Sequence, residues 1–240
     1  MNKYEILKGI INDCHRIVFF TGAGISSPSG IPDFRSEEGL YVDKDYEGYK
    51  PEEIISHSFY LKNPELFFKF YKEKMIYPNA RPNLAHFYIA TLEKEKDVTV
   101  VTQNIDGLHT LAGSKNVIEL HGNIHRNYCE KCHKKYPLDK ITQSTGIPKC
   151  DVCGGIIKPD VVLYEEQLDE TSITSAIEKI MTCDLLIVIG TSLSVYPAAG
   201  FIRYFKGRYI VIINKQKTSF DNLADLTINE DIIKVIENIQ

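Results

Sequence analysis

No segment of the chain approaches the ~18 consecutive apolar residues that a membrane span requires. The opening stretch MNKYEILKGIINDCHRI has helical spacing at Ile6, Leu7, Ile10 and Ile11 with charges interleaved, and it lacks the unbroken apolar core of a signal peptide. Neither sign of charge dominates: 28 Lys and Arg against 32 Asp and Glu leave a net charge of −4. The overall field therefore does not favour nonspecific nucleic-acid binding. Internal repeats and low-complexity tracts are missing too. These absences predict a cytoplasmic, reducing location with neither a membrane nor a specific nucleic acid as partner. With 240 residues, 43% hydrophobic and 25% charged, the composition is that of a soluble protein with a real core, in one large domain or two small ones.

Cysteine is sparse, at six residues, and its placement argues against a disulfide framework. Four form Cys129-x-x-Cys132 and Cys150-x-x-Cys153, separated by residues 133–149, which is zinc-ribbon spacing. Each C-x-x-C turn aims two sulfurs at one centre, and two turns complete a tetrahedron. Four thiolates leave no open coordination position, so one zinc ion is expected in a structural role. His125 and His133 lie close enough to compete as ligands, but four Cys suffice. Cys14 and Cys183 read as small core residues, and the basic run 131–135 as a solvated face.

Short β-branched, apolar runs recur at 16–21, 98–102, 185–190 and 209–214, with a fifth strand-like run at 117–120. Such runs, apolar on both faces, suit strands of a parallel sheet covered by helices. Helical patterns at 82–94, 171–181, 197–205 and 231–239 lie among them or close the chain. The alternation predicts an α/β fold, a doubly wound, Rossmann-like parallel sheet with right-handed crossovers. Residues 36–79, with helical patterns at 51–58 and 64–77, and residues 126–159, with the zinc knuckles, break the rhythm. They are expected to meet as a smaller helical and zinc-binding domain beside a main domain built from 1–35, 80–125 and 160–240.

Ligands of open α/β sheets lie beyond the carboxyl ends of the strands, and four such ends here are polar. The first runs from Phe20 into Thr21-Gly22-Ala23-Gly24, where closely spaced glycines would bring backbone N–H groups up to a pyrophosphate. Ser26, Ser27 and Pro28 suit the first turn of a helix. The spacing is not G-x-G-x-x-G, and no acidic residue stands clearly about 20 positions on for a ribose. Pro32, Asp33, Phe34 and Arg35 follow; Arg35 suits a phosphate, and Phe34 could cover a flat ring or shield a reactive carbon. The second end carries Gln103, Asn104, Ile105 and Asp106, the third Thr191 and Ser192, and the fourth Asn214. Four polar ends on one edge make a cofactor cleft. His121-Gly122, after the run 117–120, leaves room beside an imidazole that titrates in the range of a general base.

Together, GAGISSPSGIPDFR (22–35), TQNIDGLH (102–109), His121-Gly122, the four cysteines, KPDVVLY (158–164) and GTSLSVYPAA (190–199) resemble the sirtuin family of NAD-dependent protein deacylases, in its order and spacing and over nearly the whole chain. Size and the missing extensions resemble the bacterial or archaeal kind. The resemblance implies removal of acetyl groups from protein lysines, yielding nicotinamide and O-acetyl-ADP-ribose, with NAD as co-substrate. It places Ala23, Ser27, Phe34 and Arg35 in the NAD loop, and Gln103, Asn104, Ile105 and Asp106 around nicotinamide and its ribose. Thr191, Ser192, Asn214 and Asp231 fall on the adenosine side. The acyl-lysine oxygen would attack C1′ of the nicotinamide ribose, with Asn104 orienting a hydroxyl or water, and His121 would then act as base for a ribose hydroxyl.

The same resemblance has the substrate peptide lie as an added strand between 161–164 and 192–195, with Val195 beside it and Val162, Tyr164 and Phe34 lining the lysine tunnel. The family commonly has Phe-Gly-Glu where this chain has Tyr164-Glu165-Glu166, which bears on peptide preference. Tyr71 and Lys74 fall where members that remove acidic acyl groups carry Tyr-x-x-Arg; Lys74 lacks the bidentate grip of Arg, which favours acetyl over succinyl-type substrates. A mono-ADP-ribosyltransferase or NAD hydrolase on the same cleft, or a deacylase for longer or acidic acyl groups, is the alternative.

Overall fold

The computed structural model describes residues 2–33, 39 and 45–240; Phe34 and Arg35 lie outside them. Nine strands are described: β1 (Arg16–Thr21), β2 (Asp97–Thr102), β3 (Val117–Glu119), β4 (Gly122–Cys129), β5 (Lys135–Tyr136), β6 (Ile157–Val161), β7 (Leu185–Ile189), β8 (Tyr209–Ile213) and β9 (Leu226–Ile228). Six build one parallel sheet in the order β3-β2-β1-β7-β8-β9. The apolar runs behave as their composition requires. Phe19 pairs with Val100 on one side and Ile187 on the other, and successive β1 side chains feed opposite cores. Ile17 and Phe19 join one core, packed with helices Lys3–Asp13, Leu84–Leu92 and Ile232–Ile239. Val18 and Phe20 join the other, beneath helix Glu170–Thr182 and the 3-10 turn Ala198–Tyr204. A sheet apolar on both faces is stable only when both are covered, and here both are.

The chain leaves β1 for β2 and β3 on one side, then returns to β7 and proceeds outward on the other. The carboxyl ends of β1 and β7 therefore flank the topological switch point, where open sheets leave a crevice.

A third core belongs to the segments that broke the rhythm. Ile54, Phe59, Tyr60, Phe67, Phe68, Phe70 and Tyr71 pack with Cys129, Tyr136, Ile141, Cys150 and Ile157. The antiparallel sheet β5-β4-β6 carries the cysteine side of this core. The helical pattern at 51–58 is two helices, Pro51–Ile54 and His57–Lys62, because Ser56 turns its hydroxyl to cap the second. The pattern at 64–77 is helix Pro64–Phe70 continued by a π turn, Tyr71–Met75. Cys14 and Cys183 are buried in the sheet cores. No helix among the described residues is long and apolar enough to cross a membrane.

Candidate active site

Past β1 the chain makes two tight 3-10 turns, Ala23–Ile25 and Ser27–Ser29, and stops at Gly30, which has φ +83°. The α-helix expected from Ser26-Ser27-Pro28 does not form, because Gly30 ends the turn and Ser26 is drawn into the site. The glycines also act differently from the expectation. The amide of Gly22 donates to Ile189 O (3.0 Å) and that of Gly24 to Gly190 O (2.8 Å). A β-carbon on Gly24 would stand 2.7 Å from Gly190 Cα, and one on Gly22 2.7 Å from Thr191 Cβ. These glycines let the ends of β1 and β7 touch, and their two N–H groups are spent on that contact.

The polar side chains beyond β2 form one connected set. Asp106 accepts from Ser26 Oγ (2.7 Å) and from the Leu108 amide (2.8 Å). Since Ser26 donates to that carboxylate, its remaining capacity accepts from Asn104 Nδ2 (3.0 Å), which fixes the orientation of the Asn104 amide. Burial raises the Asp106 pKa against these lowering bonds. Gln103 donates through Nε2 to Thr191 Oγ1 (3.2 Å), tying the second strand end to the third.

The backbone oxygen of Gln103 lies 2.8 Å from His121 Nδ1. A carbonyl can only accept, so Nδ1 carries the proton and Nε2 keeps its lone pair. Burial lowers the His121 pKa, outweighing the raising effect of that bond, and so favours the neutral ring, whose Nε2 lone pair is free to accept a proton. Gly122 follows at φ +79°, where a β-carbon would overlap the Asp160 carbonyl. The His121 carbonyl takes the Val162 amide at 3.0 Å.

Behind the loop, Asn83 donates to Ile25 O (2.8 Å) and Ser29 Oγ (2.9 Å). Its own amide donates to His86 Nδ1 (3.3 Å). His109 Nε2 meets Thr21 Oγ1 at 3.1 Å, and the His86 and His109 rings sit 4.8 Å apart. Burial pushes their pKa values down to about 4 and about 3.

Two cavities open on this framework. One, of about 480 Å³, runs along the switch point past Ser27, Thr191, Ser192 and Asn214. The other, of about 350 Å³, runs past Ile105, Asp106, Val162 and Tyr164. They share Ala23, Ile31, Pro32, Gln103, Asn104, His121 and Val195, so they meet at the imidazole. A hydroxyl- and amide-lined trench bent over the switch point fits a dinucleotide.

Asp231 is not on either wall: it caps helix Ile232–Ile239 and pairs with Lys215 at 3.0 Å, while neighbouring Glu230 and Ile232 face the larger cavity. Tyr71 also stands apart, wholly buried and stacked on Phe67 at 5.8 Å. Lys74 lies on the same π turn and lines neither cavity, whereas Met75 does. Neither Tyr71 nor Lys74 borders the two cavities described above, and their contact with substrate stays what the resemblance implies. Ser26 and Glu230 went unread as site residues. A serine two positions past Gly24 was the available signal for the first; for the second, the sequence carried none.

The four cysteine sulfurs lie within 4.8 Å of one another. Cys129 and Cys153 are 3.4 Å apart and Cys132 and Cys150 3.6 Å, far beyond a disulfide length of about 2.05 Å and near the roughly 3.8 Å edge of a tetrahedron with Zn–S of about 2.3 Å. The Val152 amide donates to Cys150 Sγ at 3.4 Å, and the Tyr136 hydroxyl lies between that sulfur (3.0 Å) and the Asp151 carboxylate. The donor set fits a zinc ion.

The Sir2 family model matches residues 22–197. The chain belongs to that family. It is 56% identical over its whole length to a Clostridium acetobutylicum protein named NAD-dependent protein deacetylase, covering 98% of it. It is 45% identical to a Staphylococcus aureus protein of the same name, over 99% of this chain and 98% of that one. Among solved structures, Sir2 with p53 peptide and NAD+ superposes with a TM-score of 0.88 at 40% identity, over 100% of this chain and 97% of the other. Sir2 bound to acetylated peptide gives 0.87 at 39% identity, with the same coverage.

Proposed function

We propose that the chain is an NAD-dependent protein-lysine deacetylase. The observation that carries this reading is His121, its proton parked on the Gln103 carbonyl side and its basic Nε2 left at the junction of two cavities. Relatives named as NAD-dependent deacetylases support it over the full length.

The larger cavity takes the adenosine part of NAD through Thr191, Ser192 and Asn214, and the junction takes the nicotinamide end through Ala23, Ser27, Gln103, Asn104, Ile105 and Asp106. Phe34 and Arg35 complete that loop by resemblance. When bound, NAD supplies the ribose that receives the acyl group and the nicotinamide that leaves. His121 Nε2 accepts a proton from a hydroxyl brought to the junction. Asn104, its amide oriented through Ser26 and Asp106, positions the reacting groups, and the apolar wall containing Ile31, Pro32 and Ile105 keeps water away. Val162, Tyr164 and Val195 flank an acyl-lysine peptide that adds as a strand, drawing affinity from backbone bonds and so accepting varied sequences.

Cys129, Cys132, Cys150 and Cys153 hold one zinc ion, which with four sulfurs supplies a cross-link and no open position. A division into a main unit of 1–35, 80–125 and 160–240 and a small unit of 36–79 and 126–159 draws support from the aromatic core, although Ile124, Val161 and Leu163 of the main unit also join that core. A cytoplasmic setting accords with six unbridged cysteines.

The test is an acetyl-lysine peptide with and without NAD, read by mass spectrometry. Deacetylated peptide with equal nicotinamide and O-acetyl-ADP-ribose is expected only when NAD is present. Nicotinamide released without peptide turnover would establish a hydrolase instead.

A further inference from the structure

The segment between β6 and helix Glu170–Thr182 forms one wall of the smaller cavity, and two adjacent carboxylates organise it in different ways. Glu166 works within the segment. Its Oε2 accepts from the Leu163 amide (2.9 Å) and from Lys158 Nζ (3.2 Å), whose buried ammonium also donates to Val161 O (3.1 Å). These bonds fold the strap upon itself. Glu166 reaches outward only through Oε1, to His57 Nδ1 at 2.8 Å.

Glu165 works across segments. Its backbone sits at φ +74°, in the left-handed region that favours glycine, so a side chain here carries a conformational cost. Its two oxygens meet one residue of another element: Oε2 takes the Ser58 amide (2.8 Å) and Oε1 the Ser58 hydroxyl (3.0 Å). Backbone bonds converge on the same place. The Tyr164 amide donates to Ile55 O (3.1 Å), and the His57 amide donates to Tyr164 O (2.9 Å). On the other flank, the Val162 amide is held by the His121 carbonyl. The wall thus hangs between the base and helix His57–Lys62, and at the helical end Glu165 fastens it to Ser58 beside the contact of Glu166 with His57.

We propose that Glu165 is a positioning residue, a latch that holds the strap 162–165 against helix His57–Lys62 at the spacing an incoming peptide requires. This rests on the reading that the strap receives the acyl-lysine peptide. A latched strap meets the peptide already ordered, so the cost of ordering it is not drawn from binding. Turning the carboxylate onto Ser58 also directs its polar end at the helix rather than at the peptide.

The experiment compares wild type, E165A and E165Q by steady-state kinetics and by amide hydrogen exchange over segments 55–60 and 161–168. With E165A, losing a charge-assisted bond should raise the KM for acetyl-lysine peptide about three- to tenfold, with kcat and the KM for NAD within about twofold. Exchange in both segments should quicken. E165Q keeps an oxygen for the Ser58 amide and should recover most of the peptide KM and the protection. Unchanged peptide KM and exchange in E165A would overturn the latch. An E165Q variant as impaired as E165A in both peptide KM and exchange would still support the latch and make the carboxylate charge its holding feature. Wild type with no NAD-dependent turnover would sink the functional reading, while exchange would still decide whether Glu165 fastens the strap.

Discussion

The six-stranded sheet and the cysteine module are held together by different means. In the sheet, β-branched strands pair in parallel and both faces are covered, so backbone bonds and aliphatic packing carry the fold. The module has three short antiparallel strands, a core of aromatic rings and four clustered sulfurs. Rings Tyr60, Phe67, Phe68 and Tyr71 contact one another edge-on or stacked. The sheet places chemistry at rigid strand ends. The module lends Ile55, Met75 and Tyr77 to the wall of the smaller cavity, and its four cysteines are arranged to hold a zinc ion. Precise groups sit on the self-sufficient half, and adaptable surface sits on the cross-linked half.

Removing zinc should break this contrast most forcefully. Structural zinc contributes on the order of 10 kcal/mol to small domains, so a strong chelator should abolish the ordered tyrosine signal of the module in near-ultraviolet circular dichroism. The sheet should still give a cooperative melt. Simultaneous collapse of both would show that they share one stability. His121→Ala addresses the sheet side and should cost roughly a hundred- to ten-thousandfold in deacetylation with the melting temperature little changed. Turnover at the wild-type rate would remove His121 from the mechanism.

Gly24→Ala forces a β-carbon against Gly190 and should destabilise the sheet by about 1–3 kcal/mol, measurable as a lowered urea midpoint. A silent substitution would mean that the β1–β7 contact yields. The smallest effect near neutrality comes from His86 and His109. Their folded pKa values, about 4 and about 3, lie below the unfolded 6.5, so the unfolded chain binds protons that the folded one refuses. Stability is therefore complete above about pH 6.5 and lost as pH falls towards 3, by about 0.7 kcal/mol per ring between pH 7 and 6. Melting temperatures across that range should fall on the acid side, and His109→Gln should flatten the slope.

Much of this was legible in the sequence for local reasons. Runs such as 185–190 are apolar on both faces wherever they pack, and two C-x-x-C turns need only each other. Strand-end residues such as Asn104, Thr191 and Asn214 could be assigned to one rim because a parallel sheet aligns its carboxyl ends. The antiparallel sheet was hidden, since β4 mixes Asn123, His125, Arg126 and Asn127 among its apolar residues and pairs with the distant β6. Spacing likewise could not show which way a helix faces. Tyr71 was named from its place in a pattern, yet its ring belongs to the aromatic stack. Asp231 was one residue from the cavity, but helix capping turned it aside. Gly22 and Gly24 do line the larger cavity, but their close approach to Gly190 and Thr191 is a tertiary fact that spacing does not carry.

His121 and Asn104 border both cavities, so a ligand in either compartment faces side chains that also line the other. Linkage makes that influence mutual: if the dinucleotide tightens the grip on peptide, peptide must tighten the grip on dinucleotide by the same factor. An imidazole on a shared partition thereby turns two separate recognitions into one conditional event, and a catalyst so built responds to the coincidence of its ligands rather than to the abundance of either.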